Sequence, residues 1–379
     1  MSDSKPLAGL EVVDLTQGLA GPYCAMLLAQ HGARVIKVEP PSGDWSRTLG
    51  RDLGDDLTAA FLACNRGKED IVLDLKSDDD LATLHALARN ADVFMESNRP
   101  GIAERLGVGY EDIRAINSNI IYLSVSGFGQ DGPYSDRPVT DAIMQAFSGF
   151  MTRNPDADDR PKRVEFAIPD YTTGLMAYQA VSTALLGRAR GAHGARHLDV
   201  SLMSAMLAFQ QATIIDYDQG NHSVGTPVPP TGTYQTADGL MNISVVRDKN
   251  FENLCEALGL AALTADQRFK TIPSRRAHEA ELIRLLEPAF ADKTNAELES
   301  AFRKFDVPHG RVNRYEDVLA DPHVAQTKAL TWAKRDGLGR FPVFRLPGAV
   351  PLEANDTRHH APNLNESNVD IRNRLNPKD

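Results

Sequence analysis

Between Leu10 and Ser126, short apolar runs rich in β-branched residues alternate with stretches of helical periodicity, and nothing else in the chain restricts its fold as much. Leu10–Leu15 (LEVVDL), Arg34–Glu39 (RVIKVE), Asp70–Leu75 (DIVLDL), Asp92–Glu96 (DVFME) and Asn119–Ser126 (NIIYLSVS) each read as a buried strand. Gly21–His31, with Pro22 near its first turn, reads as a helix, as do Asp78–Arg89 and Tyr110–Ile116. Parallel neighbours cannot be joined by a tight turn. A helical crossover supplies the missing length and covers one face of the sheet. The pattern therefore predicts an α/β protein with a mostly parallel sheet.

Further along, Tyr171–Arg190 and Met203–Tyr217 read as two long helices, with a strand at Arg196–Leu202 leading into the second. The stiff segment Pro227–Gly232 (PVPPTG) is the best domain boundary. A strand at Gly239–Val246 follows, then helices at Lys249–Leu258, Arg275–Phe290 and Asn295–Phe305. This divides the 379 residues into a large domain over 1–226, a smaller α+β domain over 227–330, and a segment over 331–379 that returns to the large domain. From about Gly337 the chain is rich in proline and asparagine and has little helical periodicity.

The bulk properties exclude several roles. A formal net charge of -10 repels polyanions, which argues against nucleic-acid binding. Cys24, Cys64 and Cys255 are odd in number and widely spaced, so neither a disulfide framework nor a C-x-x-C pair is expected. The opening MSDSKP lacks the pattern of a secretory leader, and no run approaches the ~20 apolar residues of a membrane helix. A cytoplasmic protein away from membranes is expected. No G-x-G-x-x-G follows the first strand and no P-loop occurs; the first turn reads TQGLAGPYC, which argues against NAD, FAD or P-loop ATP chemistry. The histidines form neither H-E-x-x-H nor a ligand-spaced pair with cysteine, so no metal is expected. No serine lies in a G-x-S-x-G elbow.

One acidic residue stands out by position. Pro169 biases Ile168 toward extended backbone, and Asp170 falls at or near the N-cap of a long apolar-periodic helix. A carboxylate there is expected to accept backbone N–H bonds at the positive end of the helix, which favours its ionised form. An ionised carboxylate in a partly dry pocket can be a nucleophile. Aspartate is also an ordinary helix cap, so these local features alone do not assign a role.

The surrounding blocks do more. The chain reads LTQGLAGPYCAMLLAQHGARVIKVEPPSGDWSR at Leu15–Arg47, NRGKEDIVLDLKSDD at Asn65–Asp79 and ADVFMESNRPGIAERLGVGYEDI at Ala91–Ile113. LSVSGFGQDGPYSDRPVTDAIMQAFSG follows at Leu123–Gly149, then IPDYTTGLMAYQAVSTALLGRARG at Ile168–Gly191 and HLDVSLMSAML at His197–Leu207. YQTADGLMNISV at Tyr234–Val245 and VPHGRVNRYEDVLADPHV at Val307–Val324 complete the set. In this order and spacing they resemble the class III CoA-transferases, the family of carnitine- and formyl-CoA transferases.

That resemblance implies a Rossmann-like large domain, a small domain, and a homodimer whose two chains interlock. It implies an acyl-CoA and a small carboxylic acid as substrates, with coenzyme A entering as substrate and no tightly bound cofactor. Asp170 aligns with the family's nucleophile, which forms an acyl-aspartyl anhydride and then an aspartyl-CoA thioester. Leu19 and Ala20 align with the turn that lines the CoA site, and Arg105 with an arginine that contacts a CoA phosphate. Lys68 and Arg99 stand in neighbouring blocks and are expected to add positive charge. Succinyl-CoA is a common donor in the family.

The chain departs from the pattern in two places. Where racemases of the same superfamily carry G-H-D, it has Val139-Thr140-Asp141, and Thr140 cannot abstract a proton as that histidine does. Racemisation of 2-methylacyl-CoA is therefore the disfavoured alternative, alongside a non-catalytic CoA-binding protein. The glycine-rich loop of formyl- and oxalate-specific relatives is not evident in His222–Gly232 (HSVGTPVPPTG), which argues against those two acids.

Overall fold

The computed structural model describes residues 5–220, 228–349, 352, 353 and 356–375. Six strands pair in parallel: β1 (Glu11–Asp14), β2 (Arg34–Glu39), β3 (Glu69–Val72), β4 (Val93–Glu96), β5 (Ile121–Ser126) and β6 (Arg196–Ser201). Their order is β3-β2-β1-β4-β5-β6. That is the doubly wound arrangement in which two halves run outward from the centre.

Nine helices of the same region connect or cover these strands: α1 (Ala20–Gln30), α2 (Ala59–Asn65), α3 (Asp78–Asn90), α4 (Ile102–Arg105), α5 (Tyr110–Ile116), α6 (Asp141–Phe147), α7 (Ile168–Ala189), α8 (Leu202–Phe209) and α9 (Gln211–Asp218). Strand residues alternate between two apolar layers, as the two-residue period requires. Val12, Val35, Val93, Met95, Ile121 and Leu123 pack with α1, α7 and α8 on one face. Val13, Ile36, Val38, Ile71, Phe94 and Tyr122 pack with α3 and α5 on the other. Because both faces are covered, the inner strands are buried on both sides, and the polar residues they carry near their carboxyl ends, such as Asp14, Lys37 and Glu39, are buried with them. Each such aliphatic side chain contributes roughly 1.5–3 kcal/mol on burial.

The chain divides into two compact units, Met1–Asn221 with Lys328–Asp379, and His222–Thr327. The second unit has the antiparallel strands β7 (Gly232–Gln235), β8 (Leu240–Ile243) and β9 (His309–Arg311) in the order β7-β8-β9. Its helices are α10 (Asp248–Leu258), α11 (Ile272–Ala277), α12 (Glu279–Ala291), α13 (Asn295–Lys304), α14 (Tyr315–Ala320) and α15 (Pro322–Thr327). Ile243, Phe251, Leu254, Leu286, Phe290, Leu298 and Phe302 form its own core. The boundary expected at residue 226, and residues 222–227 of the stretch His222–Gly232, lie outside the described residues.

After the second unit the chain adds the hairpin β10 (Leu330–Arg335) and β11 (Gly339–Phe344), then α16 (Asn368–Leu375). Residues 360–367 run along the outer strand β3. Gly67 N donates to His360 O (2.7 Å), Val72 N to Asn365 Oδ1 (2.9 Å), and Ser367 N to Asp70 O (2.9 Å). Ile371 of α16 then inserts into the α3–α5 layer.

Three expectations are corrected. The helix expected over Met203–Tyr217 is two helices, interrupted at Gln210, whose side-chain amide donates to Ser148 O (3.2 Å) and to Met206 O (3.2 Å). Arg275–Phe290 is likewise split at His278, whose ring bonds Ser274 O (2.9 Å). The region after Gly337 holds a strand and a two-turn helix, which its proline and asparagine content concealed. No described helix is long and apolar enough to cross a membrane.

Candidate active site

The strand order reverses between β1 and β4, so the chain leaves these neighbours in opposite directions and opens a crevice beyond their carboxyl ends. The turn from Leu15 to Leu19 lies at that point, and buried charges hold it. Asp14 accepts from Thr16 N (3.0 Å) and from Lys68 Nζ (2.8 Å). Lys37 Nζ donates to Thr16 O (2.9 Å) and Asp44 Oδ2 (2.8 Å), and Asp44 Oδ1 accepts from Gly18 N (3.0 Å). Gln17 N donates to Ser97 Oγ (2.9 Å), just past β4, which ties the two diverging loops together. Gly18 adopts φ +82°, and a side chain there would meet the Trp45 ring. Such buried pairs add little net stability, but their hydrogen bonds fix one geometry for the turn.

α7 packs beside α1 in the same direction. Tyr171 meets Tyr23 edge-on with ring centroids 4.9 Å apart, and two turns later Tyr178 stacks on His31 at 5.5 Å. Between them Gly174 lets the helices close: a Cβ there would sit 2.7 Å from Ala20 O and 3.0 Å from the Tyr23 ring. Asp170 lies one turn before Gly174 on the same face. The helix period and this parallel packing therefore direct Asp170 toward the N-terminal end of α1. No side chain caps α1.

Asp170 is not the N-cap of its helix. Ala167 is, Pro169 follows in the first turn, and Asp170 is the third helical residue. The terminus is capped from another helix: Asp141, at the start of α6, accepts from Asp170 N through Oδ2 (3.3 Å). Its Oδ1 accepts from Gln145 Nε2 (2.8 Å). Two carboxylates thus share a half-buried site.

The electrostatics correct the expectation of a readily ionised Asp170. Its carboxyl is pushed up to about 7, first by burial and then by the negative charge of Asp141. Asp141 is itself raised, by burial above all, against the lowering effect of Gln145 and of the Asp170 amide. The helix end favours a carboxylate by only ~1 kcal/mol. Desolvation and a like charge outweigh it here. Cys64 and Tyr171 stand nearby, and burial raises both, so they remain neutral near pH 7.

The other expected residues separate into two groups. Leu19 and Ala20 are buried at the turn. Arg99 and Arg105 are exposed on the loop and short helix α4 after β4, and neither is paired with a carboxylate among the described residues. Lys68 differs: its ammonium donates to Asp14 Oδ2 (2.8 Å), Asn65 Oδ1 (2.7 Å) and Pro22 O (3.0 Å). Its charge is neutralised and all three of its protons are engaged, which leaves no donor for a phosphate. Among the described residues no group of three or more His, Cys, Asp or Glu could hold a metal ion.

Sequence reasoning missed Asp141, Gln145, Lys37 and Asp44. The i, i+4 spacing of Asp141 and Gln145 was a weak signal for the first two. Nothing local marked Lys37 and Asp44, whose pairing depends on the fold.

Comparisons with known proteins agree with one another. The sequence profile of CoA-transferase family III matches residues 7–368. A succinate–glutarate CoA-transferase of Agrobacterium fabrum is 37% identical, over 84% of this chain and 83% of its own. A succinyl-CoA:glutarate CoA-transferase of Mus musculus is 33% identical, over 94% and 85%. The crystal structure of a CAIB/BAIF family protein from Brucella suis superposes with a TM-score of 0.84 at 33% identity, covering 98% of this chain and 99% of that one.

Proposed function

This chain belongs to CoA-transferase family III, and on that premise we propose that Asp170 carries coenzyme A between acids as a covalent nucleophile. The enzyme transfers CoA from an acyl-CoA to a carboxylic acid. The relatives named for succinate and glutarate support succinyl-CoA as donor and a dicarboxylic acid as acceptor.

An Asp170 carboxylate oxygen attacks the thioester carbonyl carbon, the C–S bond breaks, and CoA thiolate leaves behind an acyl-aspartyl anhydride. The thiolate attacks the aspartyl carbonyl carbon, and the donor acid departs as carboxylate. The aspartyl-CoA thioester is then attacked by the acceptor carboxylate, and the same two steps run in reverse. No net proton is transferred, and the acyl group stays activated without ATP. The negative Asp141 raises the basicity of Asp170 and with it the nucleophilicity of its ionised form. Partial burial of Asp170 limits the access of water to both hydrolysable intermediates. The uncapped amides in the first turn of α1 can receive the developing oxyanion. Leu19 and Ala20 line the CoA site, and Arg99 and Arg105 supply positive charge for its phosphates.

The observation that supports this reading is the parallel packing of α7 on α1, which directs Asp170 toward the N-terminal end of α1. Exposed Leu175, Leu186, Leu207, Phe209 and Ile215 on α7–α9 suit a second copy of the chain, so the working form is taken to be an interlocked homodimer. The test is to incubate the protein with succinyl-CoA without acceptor, trap with hydroxylamine or borohydride, and map the product by mass spectrometry. A hydroxamate or alcohol at Asp170, absent in D170A, is the expected result. Failure of a panel of acyl-CoAs to label Asp170, together with α-proton exchange, would transfer the assignment to an isomerase.

A further inference from the structure

Gln145 is almost fully buried, with 1% of its surface exposed, and its side-chain hydrogen bonds go to Asp141 and to the segment before α7. Its Nε2 donates to Asp141 Oδ1 (2.8 Å), Phe166 O (3.0 Å) and Val164 O (3.1 Å). Its Oε1 accepts from Val164 N (2.9 Å). The amide orientation is forced: a flipped group would set oxygen against a carboxylate and two carbonyls, and an NH2 against an N–H. Gln145 therefore pairs with Val164 as a neighbouring strand would, on the segment that leads into α7, while holding one oxygen of Asp141. The other oxygen of Asp141 receives the Asp170 amide.

We propose that Gln145 is a positioning residue of this active site, which fixes the Asp141 carboxylate and the approach to the nucleophile's helix as one unit. This deepens the reading of Asp170 as nucleophile and rests on it. Gln145 does not touch the reacting atoms. It acts through Asp141, because an N–H donated to a carboxylate stabilises the ionised form. An ionised Asp141 holds Asp170 basic. Without the donor, Asp141 retains its proton to higher pH, the repulsion weakens, and Asp170 ionises at lower pH. The other titratable groups around the pair are Tyr171 on α7, Tyr23 on α1, Cys64 on α2, and Arg163 and Glu165 on the segment before α7. Burial keeps the tyrosines and the cysteine neutral. Arg163 and Glu165 pair with each other on the surface (2.8 Å).

The test compares the full-length protein with Gln145→Met, which fills the space without hydrogen bonds, and Gln145→Asn, which keeps the amide but stops a methylene short. Asp170 ionisation is followed in the free enzyme by infrared difference spectroscopy of 13C-aspartate protein against D170N. CoA affinity is measured by calorimetry as a check on the fold. The expected result is a midpoint lowered by about one pH unit in both variants, with CoA affinity kept within about twofold. The acid limb of kcat/KM should move with the midpoint. A midpoint unchanged in Gln145→Asn, or a fall in rate with no displacement of the limb, overturns the proposal. The infrared midpoint does not depend on covalent chemistry, so absence of the trapped Asp170 adduct in wild type would fail the nucleophile reading separately.

Discussion

Asp170→Asn should stabilise the protein, and only above acidic pH. The carboxyl titrates at about 7 in the folded chain and at 3.8 when unfolded. The folded state therefore holds a proton that the unfolded state releases, and stability falls as pH rises between those two values. At about 1.4 kcal/mol per unit, the difference reaches about 4 kcal/mol at most. The side chain keeps some contact with solvent, so roughly 2–4 kcal/mol is the expected range. Asparagine does not titrate and escapes this cost. Urea unfolding of both proteins from pH 4 to pH 9 gives the test. The stability of the asparagine variant relative to wild type should start near its pH 4 value, grow through pH 7, and level off above it. A new amide–Asp141 hydrogen bond would favour the ionised Asp141 and its gain would also follow pH, so the comparison is repeated in an Asp141→Asn background, where only the burial of the Asp170 carboxyl remains. Parallel curves across this range would refute the reasoning, because they would mean that neither burial nor Asp141 acts on the carboxyl.

Asp141→Asn removes the like charge, so the acid limb of the acylation rate should move below pH 7, measured by quenched flow with succinyl-CoA. Gly174→Val places side-chain atoms against Ala20 O and Tyr23; it should cost about 1–3 kcal/mol in urea and abolish adduct formation at Asp170. Lys37→Met leaves Asp44 buried without its cation and should cost about 3–5 kcal/mol, read from the same transition. Arg105→Ala should raise KM for acyl-CoA severalfold at low salt and by less at high salt, with kcat little changed, because an exposed cation acts through a screened field.

The parallel sheet was legible because each strand is covered on both faces, and a two-sided apolar run such as LEVVDL or RVIKVE leaves a strong local trace. Asp170 was legible as the acid at the head of a long helix. Its ionisation was not, because the decisive neighbour, Asp141, lies 29 residues earlier on a different helix. Local sequence reports what a helix end does to a carboxylate, but it does not report desolvation or a charge delivered by packing. Lys68 shows the same limit. It was expected to add positive charge for CoA, yet it is buried on Asp14, 54 residues away. The interruptions at Gln210 and His278 also escaped, since the apolar periodicity resumes on either side of each and neither position carries a proline or glycine to mark a break.

The segment that covers β3 has a consequence for how the protein is made. Val72 bonds a side chain 293 residues later, and Asp70 receives its partner amide after 295. At a synthesis rate of roughly 5–20 residues per second, that separation corresponds to about 15–60 s on the ribosome. Throughout that interval the rim of the growing sheet presents unpaired amides and carbonyls to other nascent chains on the same message, which is the geometry that seeds edge-to-edge association. The large unit therefore cannot seal itself cotranslationally: its last hydrogen bonds form only after the whole of the second unit has emerged, and yield on expression should respond to whatever occupies that rim in the meantime.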